Sequence, residues 1–291
     1  MFEKILLPTD FSPDSERVLE SVKDIYGVKE VVLLHIIDAT RPSLRGWEHG
    51  PKIENAKILL EENRQALETG GIKAGVIVEA IVDPITQGTV TLAILAKAEA
   101  CSASLIMMGA RGRNTIREIL LGSVSAGVIR GAQTPVLLMR FLPGAAATDR
   151  RPNLFSRVLV PVDFSAPSRD ALDALTNIPE PGKILLLHVV DKGESEEEIQ
   201  AAVREAKEKL AAMEQDPALS RFSVISRVHV GNPPDEITAT ADREEVTLIL
   251  MSRRGGGWTR ELRTLILGST TNAVIRQARR SILITAGNQT A

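Results

Sequence analysis

The sequence predicts an α/β protein made of two tandem domains, each built on a doubly wound parallel sheet flanked by helices. The chain has 291 residues, which is about the length of two ordinary domains. Short apolar runs rich in branched residues alternate with helical patterns, which is typical of βαβ units. Several stretches of sequence also occur twice, so the two domains are copies of one another.

The repeated stretches keep their order along the chain, the first two at an offset of 153 residues and the last two at an offset of 146. They are 4–12 with 157–165, 31–38 with 184–191, 122–123 with 268–269, and 128–130 with 274–276. A period of about 150 residues is too long for a solenoid repeat. Residues 142–152 are rich in small residues and prolines and form a linker. We therefore expect domains over 1–142 and 153–287.

Five apolar runs in the first copy are predicted to be strands, because their lack of alternation is typical of strands buried on both faces. They are Ile5–Pro8, Val31–Ile36, Val76–Val82, Leu105–Met108 and Val136–Met139. The order of strands and helices favours right-handed βαβ units and a five-stranded, Rossmann-like sheet.

The first predicted helix begins after Ser12, a good N-cap residue, with Pro13 at its first position. Val18, Val22 and Ile25 repeat at helical spacing behind it. The other predicted helices are Lys52–Glu68, Gln87–Ala100 and Ser123–Gly131.

The second copy follows the same plan, and its second helix has the clearest apolar stripe. The stripe consists of Ile199, Val203, Ala206, Leu210 and Met213. Glutamates crowd the start of this helix, where the helix dipole favours negative charge.

Composition excludes several classes of protein. The net charge of −2 argues against a nucleic-acid-binding surface. The single cysteine, Cys101, permits neither an internal disulfide nor a zinc set and is interpreted as a structural thiol. The N-terminus lacks a signal-peptide pattern, and the apolar runs are too short for a membrane helix. We expect a cytoplasmic protein.

Ligands of open α/β sheets bind beyond the carboxyl ends of the strands, where the strand order reverses. Pro8, Thr9 and Asp10 follow the first predicted strand. The Asp10 carboxylate is suited to accept hydrogen bonds from ribose hydroxyls or a base amino group. It is equally suited to accept backbone N–H groups within its own turn, and both interpretations stand.

A glycine-containing loop follows the fourth predicted strand. Gly109, Arg111 and Gly112 begin it, and Gly122-Ser123 opens the next helix. Glycine lets the backbone approach a ligand, successive N–H groups cradle an anion, and a helix start attracts phosphate. Ordinary turn glycines with surface arginines remain the alternative. Neither GxxxxGK[ST] nor GxGxxG after the first strand is present, which disfavours P-loop NTPases and dinucleotide-binding Rossmann domains.

The run 5–12, the strand 33–36 and the pattern Gly-x2-Gly-x9-Gly-Ser at 109–123 resemble the universal stress protein family. The resemblance covers nearly the whole chain, twice. It implies a five-stranded parallel sheet in each domain and, in the nucleotide-binding members, ATP or AMP held by this motif. Mg²⁺ or Mn²⁺ on the phosphates is compatible with it.

The resemblance also assigns roles by motif position. These are Asp10 for ribose or base, the Ile36 backbone for adenine, Gly109 and Gly112 for ribose and phosphates, Gly122, Ser123 and Val124 for phosphates, and Pro8, Thr9 and Met108 for the pocket walls. Arg111 adds positive charge close to the phosphates. The resemblance further implies that the domains pair through their last strands, and that such units form homodimers.

The second copy departs from the motif. Ser252 replaces Gly109, and the loop up to Gly268 is three residues longer, while Asp163 and Ser269 remain. A second nucleotide site and a structural copy without one are both open. His35 and His188 occupy equivalent strand positions and are interpreted as strand-end residues that bond the backbone, not as catalytic bases.

Three functions follow as hypotheses. The first is an adenine-nucleotide-binding stress-response protein, a sensor or interaction module whose ligand shifts a conformational equilibrium. The second is a slow ATP hydrolase or phosphoryl-transfer enzyme that uses arginines of the same site to stabilise phosphoryl charge. The third is a structural assembly protein with vestigial pockets. No catalytic or metal-ligating residue is assigned, because no Walker-type lysine or water-orienting carboxylate is evident.

Overall fold

A computed structural model describes residues 2–38, 49–81, 89–110, 121–141, 153–175, 182–253 and 267–285. The chain divides into two compact units, Met1–Met139 and Arg140–Ala291. Each unit is a three-layer α/β domain, as the sequence predicts.

In the described part of the first domain, five strands lie in the order β3-β2-β1-β4-β5. They are β1 (Lys4–Pro8), β2 (Glu30–Asp38), β3 (Lys73–Ile81), β4 (Leu105–Gly109) and β5 (Val136–Met139). Every pairing between them is parallel. The chain builds outward from β1 to β3 and then returns to β4 on the other side of β1, so the strand order reverses between β1 and β4.

The described helices of the first domain are α1 (Pro13–Glu20), α2 (His49–Thr69), α3 (Val90–Ala100) and α4 (Ser123–Gly131). The predicted cap is confirmed, since Ser12 Oγ accepts the Ser15 N–H at 3.2 Å. The first helix ends earlier than its apolar spacing suggests, because residues 21–24 tighten into a 3₁₀ turn. A 3₁₀ turn also brings positions three apart to one side, so Val22 and Ile25 stay buried.

The second domain repeats this plan with the strand order β10-β9-β6-β7-β8, again all parallel. Its strands are β6 (Arg157–Pro161), β7 (Lys183–Val190), β8 (Ser223–Val230), β9 (Leu248–Ser252) and β10 (Ser281–Thr285). Its described helices are α5 (Ala166–Leu175), α6 (Glu196–Glu214), α7 (Pro233–Arg243) and α8 (Ser269–Gln277). In α6 the middle of the predicted stripe, Ala206 and Leu210, is buried.

The core of each domain lies on both faces of its central strands. Ile5, Leu6 and Leu7 of β1 are all at most 1 % exposed, so successive residues of the strand are buried although they point to opposite faces. This burial explains why the strand sequences lack polar alternation.

Among the described residues, no helix has the length and apolarity needed to span a membrane.

Candidate functional site

The ends of β1 and β4 lie side by side in the first domain. Ile5 pairs with Leu105 and Leu6 with Ile106 in a parallel register. The chain therefore leaves both strands at the same edge of the sheet, at the point where the strand order reverses, and the region between these two strand ends is called the crevice below. The two segments that the sequence singles out, after Pro8 and after Met108, meet at this edge.

The turn from β1 into α1 is held by short-range hydrogen bonds. Asp10 Oδ1 accepts the Ser12 N–H at 3.1 Å, and Thr9 Oγ1 accepts the Phe11 N–H at 3.1 Å. Thr9 Oγ1 also donates to Ser15 Oγ at 3.0 Å. These bonds hold Phe11 at a φ of 57°, a backbone region that a bulky residue seldom adopts. The Asp10 carboxylate is thus fixed in direction at the mouth of the crevice.

His35 braces the same turn from β2. Its Nδ1 lies 2.8 Å from Thr9 O, and because a carbonyl oxygen only accepts, Nδ1 carries the proton. The Phe11 ring packs on the imidazole with centroids 4.5 Å apart. The predicted bond of His35 to the backbone is confirmed, but the residue lies within β2, which continues to Asp38, and not at the strand end.

The Ile36 backbone lies beyond the last pair that β2 makes with β1. That register ends at Pro8 and Leu34, and the Thr9 N–H then donates to Leu34 O at 2.8 Å. The strand β2 itself continues to Asp38. Ile36 is half-buried, as are Pro8, Thr9 and Asp10, so the residues on this side of the crevice are partly accessible.

The other side of the crevice consists of the end of β4 and the start of α4. Ser125 Oγ donates to Gly109 O at 3.0 Å, and the Gly122 N–H donates to Ala110 O at 2.9 Å. Ala110 is also anchored through its N–H to Met139 O at 3.0 Å. These hydrogen bonds therefore hold the end of β4 beside the start of α4.

Gly122 is the N-cap residue of α4, and no side chain among the described residues caps this helix start. Gly122 has φ −62° and ψ 148°, values open to any residue. A Cβ built there would lie 3.6 Å from Ala110 O and 3.7 Å from Ser125 Oγ, which is ordinary van der Waals contact. Neither backbone strain nor these neighbours require glycine at this position. Ser123 is exposed and Val124 half-buried in the first turn of the helix.

The structure thus brings together eight of the predicted residues at the β1 and β4 ends and places Ile36 beside them on β2. The eight are Pro8, Thr9, Asp10, Met108, Gly109, Gly122, Ser123 and Val124. Arg111 and Gly112 lie outside the described residues. Within the described part of the chain, no group of three or more His, Cys, Asp or Glu side chains is arranged to hold a metal ion.

The second domain has the same scaffold with different residues in the loop. Asp163 Oδ1 accepts the Ser165 N–H at 3.0 Å, and His188 Nδ1 donates to Val162 O at 2.7 Å. Thr271 Oγ1 donates to Ser252 O at 3.2 Å, the counterpart of the bond from Ser125. The two domains therefore share these hydrogen bonds at their strand ends, and the described differences between them lie in the side chains.

Ser125 is a residue that motif reasoning missed. Its hydroxyl is buried and fixes the carbonyl of the first motif glycine. A signal was present in the sequence, because Thr271 carries the equivalent hydroxyl at the same offset of 146 that relates Gly122 to Gly268. A hydroxyl repeated three residues after the glycine of each Gly-Ser pair indicates a shared structural bond.

The sequence profile of the universal stress protein family matches residues 1–140 and 154–286. The chain belongs to the universal stress protein family. The match spans both domains.

Individual relatives agree with this assignment. Universal stress protein MJ0577 of Methanocaldococcus jannaschii is 33% identical over 162 residues, covering 48% of this chain and 96% of that protein. Universal stress protein YxiE of Bacillus subtilis is 31% identical over 156 residues, covering 48% of this chain and 100% of that protein. The crystal structure of a universal stress protein from Archaeoglobus fulgidus has a TM-score of 0.71 at 30% identity, covering 98% of this chain and 97% of that chain. Similarity to this last structure extends over both domains.

Proposed function

We propose that this universal stress protein binds one adenine nucleotide, ATP or AMP, in the crevice between β1 and β4 of its first domain. The bound nucleotide shifts a conformational or partner equilibrium, so the protein acts as a stress-response sensor or interaction module. Asp10 accepts hydrogen bonds from ribose or base, the Ile36 backbone meets adenine, and the N-terminus of α4 holds the phosphates.

The observation that carries this proposal is the uncapped start of α4 at Gly122. The first N–H groups of a helix have no partner within the helix, and proteins usually satisfy one of them with a Ser, Thr, Asp or Asn cap. Here the cap position is a glycine whose φ and described neighbours would accept a side chain. A phosphate that bonds these N–H groups and benefits from the helix dipole would account for this glycine. Gly268 starts its helix in the same way, so what sets the first domain apart is the small strand end before the helix, Gly109 and Ala110 instead of Ser252 and Arg253.

The position of the helix supports the same interpretation. α4 starts next to the strand ends at which the order of the sheet reverses, where ligands of open α/β sheets bind. The hydrogen bonds of Gly109 and Gly122 with Ser125 and Ala110 hold both glycines in place before any ligand arrives. Such preorganisation lowers the entropy cost of binding.

Gly122→Ser tests the proposal. If Gly122 leaves the helix N–H groups for a phosphate, a serine there should weaken nucleotide binding, and if it is an ordinary helix start, binding should not change. A serine at this N-cap is expected to accept an N–H from the first turn and therefore to maintain or raise the melting temperature. The same hydroxyl would compete with the phosphate for those N–H groups. Losing one hydrogen bond to a charged group costs about 1.5–3 kcal/mol, so calorimetry should show nucleotide affinity falling roughly 10- to 100-fold.

Gly268→Ser is the matched control, since Gly268 caps α8 with nearly the same backbone angles, φ −57° and ψ 145°. It should leave nucleotide affinity unchanged. Wild-type protein that takes up no adenosine phosphate, or a Gly122→Ser variant that binds as tightly as wild type, would contradict the proposal. The pairing of the domains through their last strands, homodimer formation, a phosphate-bound divalent ion and a cytoplasmic location stay predictions.

A further inference from the structure

The strand β3 lies at one edge of the first domain's sheet. It is nine residues long, Lys73–Ile81, and pairs with β2 along its whole length. In the part of the chain that the structure describes, no strand pairs with its other side. Because alternate residues of a strand direct their N–H and C=O groups to opposite sides, the outer side of β3 presents a row of groups able to pair with another strand.

The edge strand of the second domain, β8, differs from β3 in charge. Arg227 lies exposed within β8, with His229 two residues further on. Charged side chains in an edge strand are a common protection against strand pairing. In β3, residues 74–78 read Ala-Gly-Val-Ile-Val and carry no charge. Lys73 and Glu79 flank this uncharged centre, so the middle of β3 lacks the charged side chain that Arg227 supplies within β8.

An apolar groove runs beside β3, between the strand and α2. It has a volume of about 580 Å³ and is lined by Val76 and Val78 of the strand and by Ile58 of the helix. The Ile58 side chain is 57% exposed. Polar residues of α2 complete the lining, namely Lys57, Glu61, Glu62 and Gln65. Apolar side chains bordered in this way by polar ones are typical of interaction sites.

We propose that β3 pairs antiparallel with β3 of a second copy of this chain, about a two-fold axis at Val76. Lys73 and Glu79 each lie three residues from Val76. In this register Lys73 of each copy faces Glu79 of the other, and Val76 faces its own counterpart. The pairing joins opposite charges twice and leaves no like charges directly opposed, which is the favourable arrangement for cross-strand pairs.

The faces of the strand are consistent with this register. Lys73 and Glu79 lie on one face because they are six residues apart, and Val76 and Val78 lie on the other face beside the groove. The Lys73 side chain is 76% exposed, and its Nζ lies 3.9 Å from Glu30 Oε2, at the outer limit of an ion pair. Glu79 already forms an ion pair with Lys97 at 3.0 Å, and its second carboxylate oxygen gives it capacity for another cation.

The symmetry of the charges favours a second copy over an unrelated peptide. A two-fold interface uses the same surface twice, so each feature must complement its own symmetry mate. A strand with a lysine at one end, a glutamate at the other and apolar residues between meets that condition only when it runs antiparallel to itself. The proposed dimer pairs the two β3 edges that have no partner strand among the described residues, and no β3 edge is left for a third copy.

Charge reversal followed by mixing of variants tests the register. In sedimentation equilibrium of the full chain, we expect a wild-type dimer. Lys73→Glu places two glutamates opposite each other at both ends, and Glu79→Lys does the same with lysines. Each change should raise the dimer dissociation constant roughly tenfold or more. An equimolar mixture of the two variants should regain wild-type affinity, because a heterodimer restores both opposite-charge pairs.

Two further variants keep the test decisive if Glu79→Lys disturbs the fold through Lys97. Val76→Lys places two lysines opposite each other on the two-fold axis and should abolish the dimer. It changes neither the Lys73–Glu79 pairs between the copies nor the Glu79–Lys97 pair within each copy. Arg227→Glu in β8 is the control and should leave association unchanged, with circular dichroism confirming that each variant is folded. A monomeric wild type, or β3 variants that dimerise as wild type does, would overturn the proposal. So would a mixture that associates no more tightly than its components.

Discussion

The two domains share a frame at the ends of their central strands but differ in what that frame carries. In both, an aspartate closes the turn after the first strand, a histidine braces it, and a hydroxyl in the last helix holds the carbonyl at the end of the fourth strand. The first domain has Gly109 and Ala110 at that strand end, whereas the second has Ser252 and Arg253. Arg253 is only 7% exposed, so its bulk lies within the second domain.

This difference indicates which features of the strand ends belong to the fold and which are expected to serve nucleotide binding. The aspartate turn occurs in both domains, including the one whose glycine loop is altered, so the turn alone is explained by the fold. The exposure of the aspartate does differ, because Asp10 is half-buried while Asp163 is exposed. Gly109 and Ala110 are smaller than Ser252 and Arg253, so we expect more room for a ligand at the strand end of the first domain than at that of the second. We therefore expect one nucleotide site per chain.

Removing the two aspartates is the most severe test of that asymmetry. Asp10→Ala should lower the affinity for an adenine nucleotide roughly 10- to 100-fold, since hydrogen bonds to a charged group contribute about 1.5–3 kcal/mol. Asp163→Ala should leave it unchanged. Titration calorimetry gives both affinity and stoichiometry, and we expect one nucleotide per chain.

Asp10→Asn separates the carboxylate's charge from its part in the turn. The asparagine oxygen still accepts the Ser12 N–H, so the turn should persist while nucleotide affinity falls. Equal losses of affinity from changes at Asp10 and Asp163 would show that both domains bind nucleotide, and the comparison above would be wrong.

A smaller effect is expected at the hydroxyls that both domains share, Ser125 and Thr271. Removing them tests the stability of the fold and not ligand binding. Ser125→Ala removes the buried bond to Gly109 O, and Thr271→Val removes its counterpart to Ser252 O. Each change should reduce the free energy of unfolding by about 1 kcal/mol, the typical contribution of one hydrogen bond. Urea denaturation measures this loss. If only one variant is destabilised, the two loops are not held in the same way.

Most of the fold could be predicted because its strands are buried on both faces. Val136–Met139 and Ser123–Gly131 have the predicted bounds, and β1 begins one residue earlier than predicted. The early end of α1 could not be predicted, because the spacing of Val22 and Ile25 fits both an α-helix and a 3₁₀ turn.

The candidate site was likewise predicted only in part. Its glycines and Asp10 were found from sequence because motif spacing is local. Ser125 was missed because its bond to Gly109 joins residues 16 apart in sequence and depends on how α4 packs beside β4. The sequence also left two roles open for Asp10, and the observed turn bond to Ser12 is compatible with both.

The smallest expected effect concerns the surface of two equivalent helices, α2 and α6. Hydrogen bonding by Arg64 lowers the pKa of Glu61, and hydrogen bonding by Lys209 lowers the pKa of Glu205. A carboxyl group with a lowered pKa in the folded state stabilises that state above its unfolded pKa, and the contribution disappears as the pH falls through the folded value. Both contributions should therefore be present at neutral pH and lost in acid.

Carboxyl-carbon NMR titration can resolve the two glutamates. Arg64→Gln should return the pKa of Glu61 toward its ordinary value and leave Glu205 unaffected, while Lys209→Gln should do the reverse. Because these pairs are exposed to solvent, their effect on unfolding should be small and should weaken further with salt. A large change in nucleotide affinity from either substitution would contradict the comparison, since it would place part of the functional difference on the helices instead of at the ends of β4 and β9.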